Sequence, residues 1–108
     1  MINWNDFDKV DMRVGKIVEV HDFPEARNPS YILTIDFGTL GVRKSSAQVT
    51  NYTREELEGR QVIAVVNFPP KQIGPFTSEV LLLGAVERDG KVALLQPYPN
   101  ASLGSRIA

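Results

Sequence analysis

The order of β-type segments along the chain is the sequence feature that most restricts its fold. Residues 13–20 are rich in β-branched side chains, residues 31–37 alternate apolar with polar ones, and residues 41–49 form a third, more polar segment. Residues 61–68 and 80–86 are nearly continuous apolar runs of strand length. The one strong helix signal lies between the third and fourth segments. Strands and helices therefore do not alternate, which argues against a doubly wound parallel sheet.

The helix signal is a capping box at Thr53. Its hydroxyl and the Glu56 carboxylate can each accept a backbone N–H group, and Gly59 stands where a helix of one to two turns would end. A weaker pattern begins at Trp4, where apolar residues recur at three-residue spacing and predict a short helix or turn. Three strands, a short helix and further strands follow one another in the order of the OB-fold.

The predicted fold is all-β: a five-stranded OB-fold β-barrel with one short helix and N- and C-terminal extensions, filling residues 1–108 as a single domain. Gly15, inside the first strand, is expected to allow the sharp bend that closes a small barrel. Asp89 and Gly90 predict a two-residue hairpin turn between the last two strands. The side chains expected to point inward are Val14, Leu33, Ile35, Val62, Ala64, Val66, Leu81 and Leu83.

The composition supports one hydrophobic core. The 108 residues are 43% hydrophobic, which suits a single compact domain and leaves no room for a second one. No run approaches the roughly 20 apolar residues of a membrane span. Asp6, Asp8 and Lys9 interrupt the start of the chain, where a secretory signal would be apolar. We therefore expect no membrane insertion and a cytoplasmic location.

The residues needed for catalysis or metal binding are nearly absent. The chain has no cysteine, its single histidine is His21, and it carries neither a Gly-rich phosphate loop nor a nucleophile elbow. Asp11 and Asp36 are expected to make turn and strand-edge hydrogen bonds rather than to act as an acid–base pair. We predict a non-catalytic protein with no metal or other cofactor.

Two sets of side chains are candidates for ligand binding. Hydroxyl and amide groups on the third strand can bond a peptide backbone, or ribose and phosphate, and apolar residues of the proline-rich segment 69–78 can contact a partner. The predicted peptide-binding residues are Ser45, Ser46, Gln48, Ile73 and Phe76. Basic side chains can instead meet phosphates. The predicted nucleic-acid-binding residues are Arg13, Arg43, Lys44 and Lys71.

Several stretches of the sequence resemble one known family. They are Asp-Met-Arg-Val-Gly-Lys-Ile at residues 11–17, Ser-Ser-Ala-Gln-Val-Thr at 45–50, and an apolar run ending in Asn-Phe-Pro-Pro at 62–70. Together they resemble the CsaA export-related chaperones, within the wider tRNA-binding-domain superfamily, and the likeness covers nearly the whole chain. The resemblance implies an OB-fold barrel, a homodimer formed through the terminal extensions, no enzymatic activity, and binding of unfolded or pre-export polypeptides, with tRNA as the other partner.

The charge distribution favours polypeptides among these partners. Lys and Arg number 12 against 13 Asp and Glu, a net charge of -1, so no overall field attracts a polyanion. Gln72 and Gly74 also stand where tRNA-binding relatives often carry Lys or Arg. The first hypothesis is a chaperone for unfolded or preprotein polypeptides, linked to secretion. The alternative is a tRNA-binding protein that uses the same surface.

Overall fold

Strands make up most of the regular structure in the computed structural model, which describes all of residues 1–108. The strands are β1 (Met12–Asp22), β2 (Tyr31–Asp36), β3 (Val42–Ala47), β4 (Gln61–Val65), β5 (Lys71–Ile73), β6 (Phe76–Ser78), β7 (Leu81–Leu82), β8 (Gly84–Val86) and β9 (Val92–Leu94). Five of them form an antiparallel, nearly closed barrel sheet in the order β3-β2-β1-β4-β7, and β5–β6 and β8–β9 are separate hairpins. The predicted OB-fold barrel is confirmed.

Strand β1 lies at the centre of the barrel sheet. It pairs with β2 along residues 16–22 and with β4 along residues 12–16, and a bulge follows Ile17. The barrel closes where β3 meets the segment before β7. There the Glu79 N–H donates to the Lys44 carbonyl at 2.8 Å, and the Lys44 N–H donates to a Glu79 carboxylate oxygen at 2.9 Å.

The barrel interior holds a cluster of 11 buried residues. Of the side chains predicted to point inward, those at most 1% exposed are Val14, Leu33, Ile35, Val62 and Ala64. Val66 packs against the cluster and Leu83 is half-buried. The prediction for Leu81 is wrong, because this side chain is 50% exposed. Val80 and Leu82 contact the core instead, so the inward set of this strand is shifted by one residue.

The helix between β3 and β4 is α2 (Arg54–Leu57), and it begins at the predicted capping box. The Thr53 N–H donates to Glu56 Oε1 at 2.8 Å, and the Glu56 N–H donates to Thr53 Oγ1 at 3.2 Å. Leu57 anchors the helix in the core with no exposed surface. Gly59 follows with a φ of +83°, the left-handed conformation that ends a helix.

A second short helix, α1 (Trp4–Asp8), precedes β1, where the sequence predicted a helix or turn. It begins at a capping box of Asn3 and Asp6, and none of its residues is buried. The Asn67 amide and the Arg106 guanidinium donate to main-chain carbonyls at its C-terminal end, so α1 is fixed to the barrel by polar contacts. Neither this helix nor any other in the structure has the length and apolar character needed to cross a membrane.

The turn between β8 and β9 differs from the predicted two-residue type. The Gly90 N–H donates to the Glu87 carbonyl at 3.0 Å, and the Glu87 N–H donates to the Lys91 carbonyl at 2.8 Å, which encloses three residues. A two-residue type I′ turn needs a positive φ at both central residues. Gly90 has a positive φ, but Asp89 does not, because no non-glycine residue of the chain has a positive φ. The Asp89-Gly90 pair therefore predicted the hairpin correctly and its turn type wrongly.

The β5–β6 hairpin lies in the proline-rich segment 69–78, between two predicted strands, where the sequence analysis expected no strand. Ile73 pairs with Phe76 across a two-residue turn, and Gly74 occupies the first turn position with a φ of +58°. A glycine at that position is the signature of a type II′ hairpin turn. Gly74 thus indicated the hairpin turn in the sequence, but Pro75 in the second turn position made the segment look like a connection without strands.

Gly15 brings β1 close to the side chains of the neighbouring strand. A Cβ atom at this position would lie 2.5 Å from Ile35 Cγ2 and 2.7 Å from the Phe37 ring. Gly15→Ala should therefore force the core to shift and lower the free energy of unfolding by about 1–3 kcal/mol, as overpacked cores do. Denaturant unfolding measures this. Val18→Ala, on an exposed position of the same strand, is the control and should cost less than about 1 kcal/mol; equal losses in both variants would contradict the close packing.

Candidate functional site

A groove of about 890 Å³ lies on one side of the barrel, within the size range of ligand-binding clefts. Five parts of the chain line it: the β1–β2 loop, the end of β3 with the residues just after it, Phe68 and Pro69 after β4, the β5–β6 hairpin, and the chain from residue 78 through β8–β9. Four of the residues predicted from the sequence to bind a ligand line this groove: Ser46, Gln48, Lys71 and Ile73.

Half of the residues lining the groove are hydrophobic, 11 of 22. Some, such as Val49 and Val80, are buried members of the barrel core. Three large apolar side chains remain exposed: Phe68 at 54%, Leu81 at 50% and Val86 at 76%. Exposed apolar side chains that share one concave surface are typical of interaction sites, since burying them in a partner releases free energy.

The two adjacent serines of β3 have different environments. Ser45 is 1% exposed, and its hydroxyl donates to the Val80 carbonyl at 2.9 Å across the barrel closure. It does not line the groove. Ser46 and Gln48 do line it, and their side chains make no hydrogen bond within the protein. The polar groups offered to a ligand are therefore those of Ser46 and Gln48.

The two apolar residues selected in the β5–β6 hairpin also separate. Ile73 lines the groove and is half-buried. Phe76 lies outside the groove lining, and its ring meets the buried Phe23 ring edge to face, with centroids 5.5 Å apart. This aromatic contact fixes the hairpin to the β1–β2 loop. Phe76 therefore holds one groove wall in place.

The four selected basic residues do not converge on the groove. Only Lys71 lines it. The Arg13 guanidinium donates to Asp11 at 2.6 Å and to a main-chain carbonyl of the C-terminal segment at 3.1 Å. Arg43 and Lys44 lie on β3 ahead of the groove-lining residues. The groove thus presents no cluster of the selected cations, and no three His, Cys, Asp or Glu side chains meet as a possible metal site.

Sequence reasoning missed three residues that shape the groove: Arg27, Phe68 and Val86. A signal for Phe68 existed, because Pro69 and Pro70 lack N–H groups and end strand pairing, so that an apolar residue just before them leaves the sheet. Strand β4 indeed ends at Val65. No pattern in the loop sequence indicates that Arg27 faces the groove.

The family of the chain follows from comparison with known proteins. Residues 12–106 match the family model described as a putative tRNA binding domain. The match covers most of the chain, and the chain belongs to this family of binding domains.

Solved structures and curated proteins extend the comparison. The chain is similar to the CsaA chaperone protein from Picrophilus torridus, at 56% identity and a TM-score of 0.95 over 100% of both chains. It is also similar to the chaperone CsaA of Bacillus anthracis str. Ames, at 49% identity and a TM-score of 0.95, covering 100% of this chain and 99% of the other. The predicted resemblance to CsaA is confirmed.

Curated relatives of the chain include much longer proteins. A methionine–tRNA ligase from Nanoarchaeum equitans is 42% identical over 108 residues, which are 99% of this chain and 14% of the ligase. A second methionine–tRNA ligase, from Thermococcus kodakarensis, is 38% identical over 107 residues and again only 14% of it is matched. The chain therefore spans about 14% of the length of these relatives.

The contrast between the two serines gives a test of the site. Ser45→Ala should lower the free energy of unfolding by about 1–3 kcal/mol, because the Val80 carbonyl loses this donor in a buried position. Ser46→Ala is the matched control and should change stability by no more than about 0.5 kcal/mol. Urea unfolding of the two variants measures both. A larger loss of stability in Ser46→Ala than in Ser45→Ala would contradict the assignment of Ser45 as the structural serine.

Proposed function

We propose that the chain binds extended, apolar-rich segments of unfolded or pre-export polypeptides in the groove, without catalysing a reaction. The observation that carries this proposal is the group of Phe68, Leu81 and Val86, which are at least half exposed and share one concave surface. Burying such side chains against a client is favourable and places little demand on the client's sequence. That combination suits a chaperone.

The polar wall of the groove complements this apolar surface. Ser46 and Gln48 carry unoccupied donors and acceptors that can bond a client's main chain, which is the same in every polypeptide. Ile73 adds apolar contact from the hairpin. The peptide-binding set that we propose is therefore Ser46, Gln48, Ile73, Phe68, Leu81 and Val86, with Ser45 and Phe76 as supports of the groove.

Binding of tRNA is the second candidate function, and the family match is the observation that favours it. In this role Lys71 and Arg27 would meet phosphates in the groove, and Arg43 and Lys44 would extend the contact along β3. An exposed Phe68 ring can stack on a base. Three or four phosphate contacts give a log–log slope of affinity against salt of roughly -2 to -3.5, so this binding would fall steeply as salt rises.

We propose further that the protein acts as a cytoplasmic homodimer. The observation behind this proposal is the exposed apolar surface around α1, where Trp4 is 86% exposed and Ile2 is 74% exposed. A two-fold contact would cover this surface with the same surface of a second copy. The cytoplasmic location and the link to protein export rest on the resemblance to CsaA.

Variants of the groove test the peptide proposal. Phe68→Ala and Leu81→Ala should each weaken binding of a labelled, apolar, unfolded peptide by about five- to tenfold, the effect of losing roughly 1 kcal/mol of contact. Val42→Ala is the control, because Val42 is 58% exposed but does not line the groove. Fluorescence anisotropy at low and high salt measures the affinities. We expect peptide binding to persist at high salt, since apolar burial is not screened.

The same titration with tRNA decides between the two functions. If tRNA binds tightly at physiological salt and the peptide does not bind, the chaperone proposal is wrong. In that outcome Lys71→Ala should weaken the binding of tRNAs of different sequence to the same extent and reduce the salt slope by about 1. Phe68→Ala should weaken binding mainly by removing a stacking contact.

The dimer proposal is tested by light scattering at micromolar concentration. We expect the wild-type protein to have twice the mass of one chain, and Trp4→Ser to shift it to the monomer, because the central aromatic of an apolar contact carries much of its energy. Val42→Ser is the control, because it removes an exposed apolar side chain on β3 and not at α1, and it should leave the dimer intact. A wild-type monomer would refute the proposal.

A further inference from the structure

One edge of strand β5 borders the groove without a partner strand. The sheet that contains β5 has only two strands, so β6 covers one edge and nothing pairs with the other. Lys71, Gln72 and Ile73 all line the groove, although consecutive strand side chains point to opposite faces. A cavity that touches all three adjoins the edge of the strand, not one face. All three residues of β5 line the groove, whereas of β6 only Ser78 does, at the end that meets β3, so the groove runs along β5.

The hairpin register identifies which main-chain groups point to that edge. Ile73 and Phe76 flank the two-residue turn and form its hydrogen-bonded pair, and Gln72 and Thr77 form the next, non-hydrogen-bonded pair. The N–H and C=O of Gln72 therefore point away from β6. They take part in none of the hydrogen bonds that the main chain makes outside the strand ladders.

The Gln72 side chain leaves these main-chain groups accessible. Its amide Nε2 donates to the Gly74 carbonyl at 2.8 Å, and its Oε1 accepts from the Thr77 hydroxyl at 2.8 Å. Both bonds fold the side chain back onto the hairpin. The outward N–H and C=O of Gln72 are consequently a fixed donor and acceptor at the border of an apolar groove.

The charges around the groove indicate what pairs with this edge. Its ionisable side chains are Arg27, Lys71 and Glu79, two cations and one carboxylate, a net charge of +1. Such a weak field complements a nearly uncharged polypeptide better than a polyanion. We infer that the groove binds its clients by β-augmentation: one client residue exchanges two main-chain hydrogen bonds with Gln72, and the client lies as an extra strand beside β5. This inference rests on the proposed peptide-binding function and specifies how it works.

The geometry defines the class of client. Side chains of an added strand alternate between two faces, so every second client residue would point toward the apolar groove and the others toward solvent. The groove should select extended segments with apolar residues at alternate positions. Pro69 and Pro70 before β5 and the Gly74-Pro75 turn after it limit the edge to one pairing residue, which also protects it from pairing with further copies.

The first test compares two substitutions of the same residue. Gln72→Pro removes the outward N–H, which the β5–β6 ladder does not use, while Gln72→Ala keeps the N–H and removes only the side chain. The probe is a labelled peptide of about six residues, a usual strand length, that alternates valine with serine. We expect Gln72→Pro to weaken its binding at least about fivefold and Gln72→Ala by less than about twofold. Equal weakening in both variants would overturn β-augmentation.

The second test leaves the protein unchanged, so a misfolded proline variant cannot confuse it. In one version of the valine–serine peptide all valine amides are N-methylated, and in a second version all serine amides are, so that each version loses the donors along one edge of the strand in every register. We expect one version to lose at least about fivefold in affinity and the other to lose little, since neighbouring amides of a strand point in opposite directions. An equal effect of methylation in the two versions would overturn the inference.

A sequence control separates this inference from the proposed function. A peptide of the same composition with its valines grouped together should bind more weakly than the alternating one. If neither peptide binds wild-type protein, the proposed function itself fails. If both bind equally and methylation has no positional effect, the groove is an apolar binding site and β-augmentation alone is wrong.

Discussion

Strand β1 hydrogen-bonds to β2 along one part of its length and to β4 along the other, and the two ladders overlap at Lys16. The exchange of partners requires a sharp change of direction within one strand. Gly15 stands at this point, and the side chains of Ile35 and Phe37 fill the space that a Cβ would occupy. The barrel core therefore packs directly on the main chain of β1. Any residue larger than glycine would force the Ile35 and Phe37 side chains out of these positions at the centre of the sheet.

The groove exists because this closure is made by side chains as much as by main chain. Between β3 and residues 78–80 only one hydrogen bond joins two main-chain groups, from the Glu79 N–H to the Lys44 carbonyl. The others use Glu79 carboxylate, Ser78 hydroxyl and Ser45 hydroxyl groups. Side-chain bonds do not propagate along a strand as a ladder does, so the two segments separate beyond Ser46. The space that opens there is the groove, and the β5–β6 hairpin forms its wall.

The barrel could be predicted from sequence because its determinants are local. Alternation over residues 31–37 and the Thr53 capping box each specify a backbone conformation by themselves. The groove could not be predicted in the same way. Leu81 was expected inside because a continuous apolar run gives no register, and only pairing with Val65 fixes which side chains face outward. Ser45 and Ser46 are the same residue type, and only the barrel closure determines which of the two hydroxyls is hydrogen-bonded within the protein.

For a client bound as proposed, the balance of energies in the groove favours weak and reversible binding. Full burial of a large apolar side chain contributes about 1.5–3 kcal/mol, so the three half-exposed side chains Phe68, Leu81 and Val86 contribute roughly 2–5 kcal/mol together. Two main-chain hydrogen bonds at Gln72 add about 1 kcal/mol each. Association and ordering of an unfolded client cost at least several kcal/mol, which leaves little surplus. A longer edge or a deeper apolar surface would bind more tightly, but it would also retain the client and pair with other copies of the chain. The single pairing residue between prolines therefore agrees with the proposed chaperone function, in which a bound client is released.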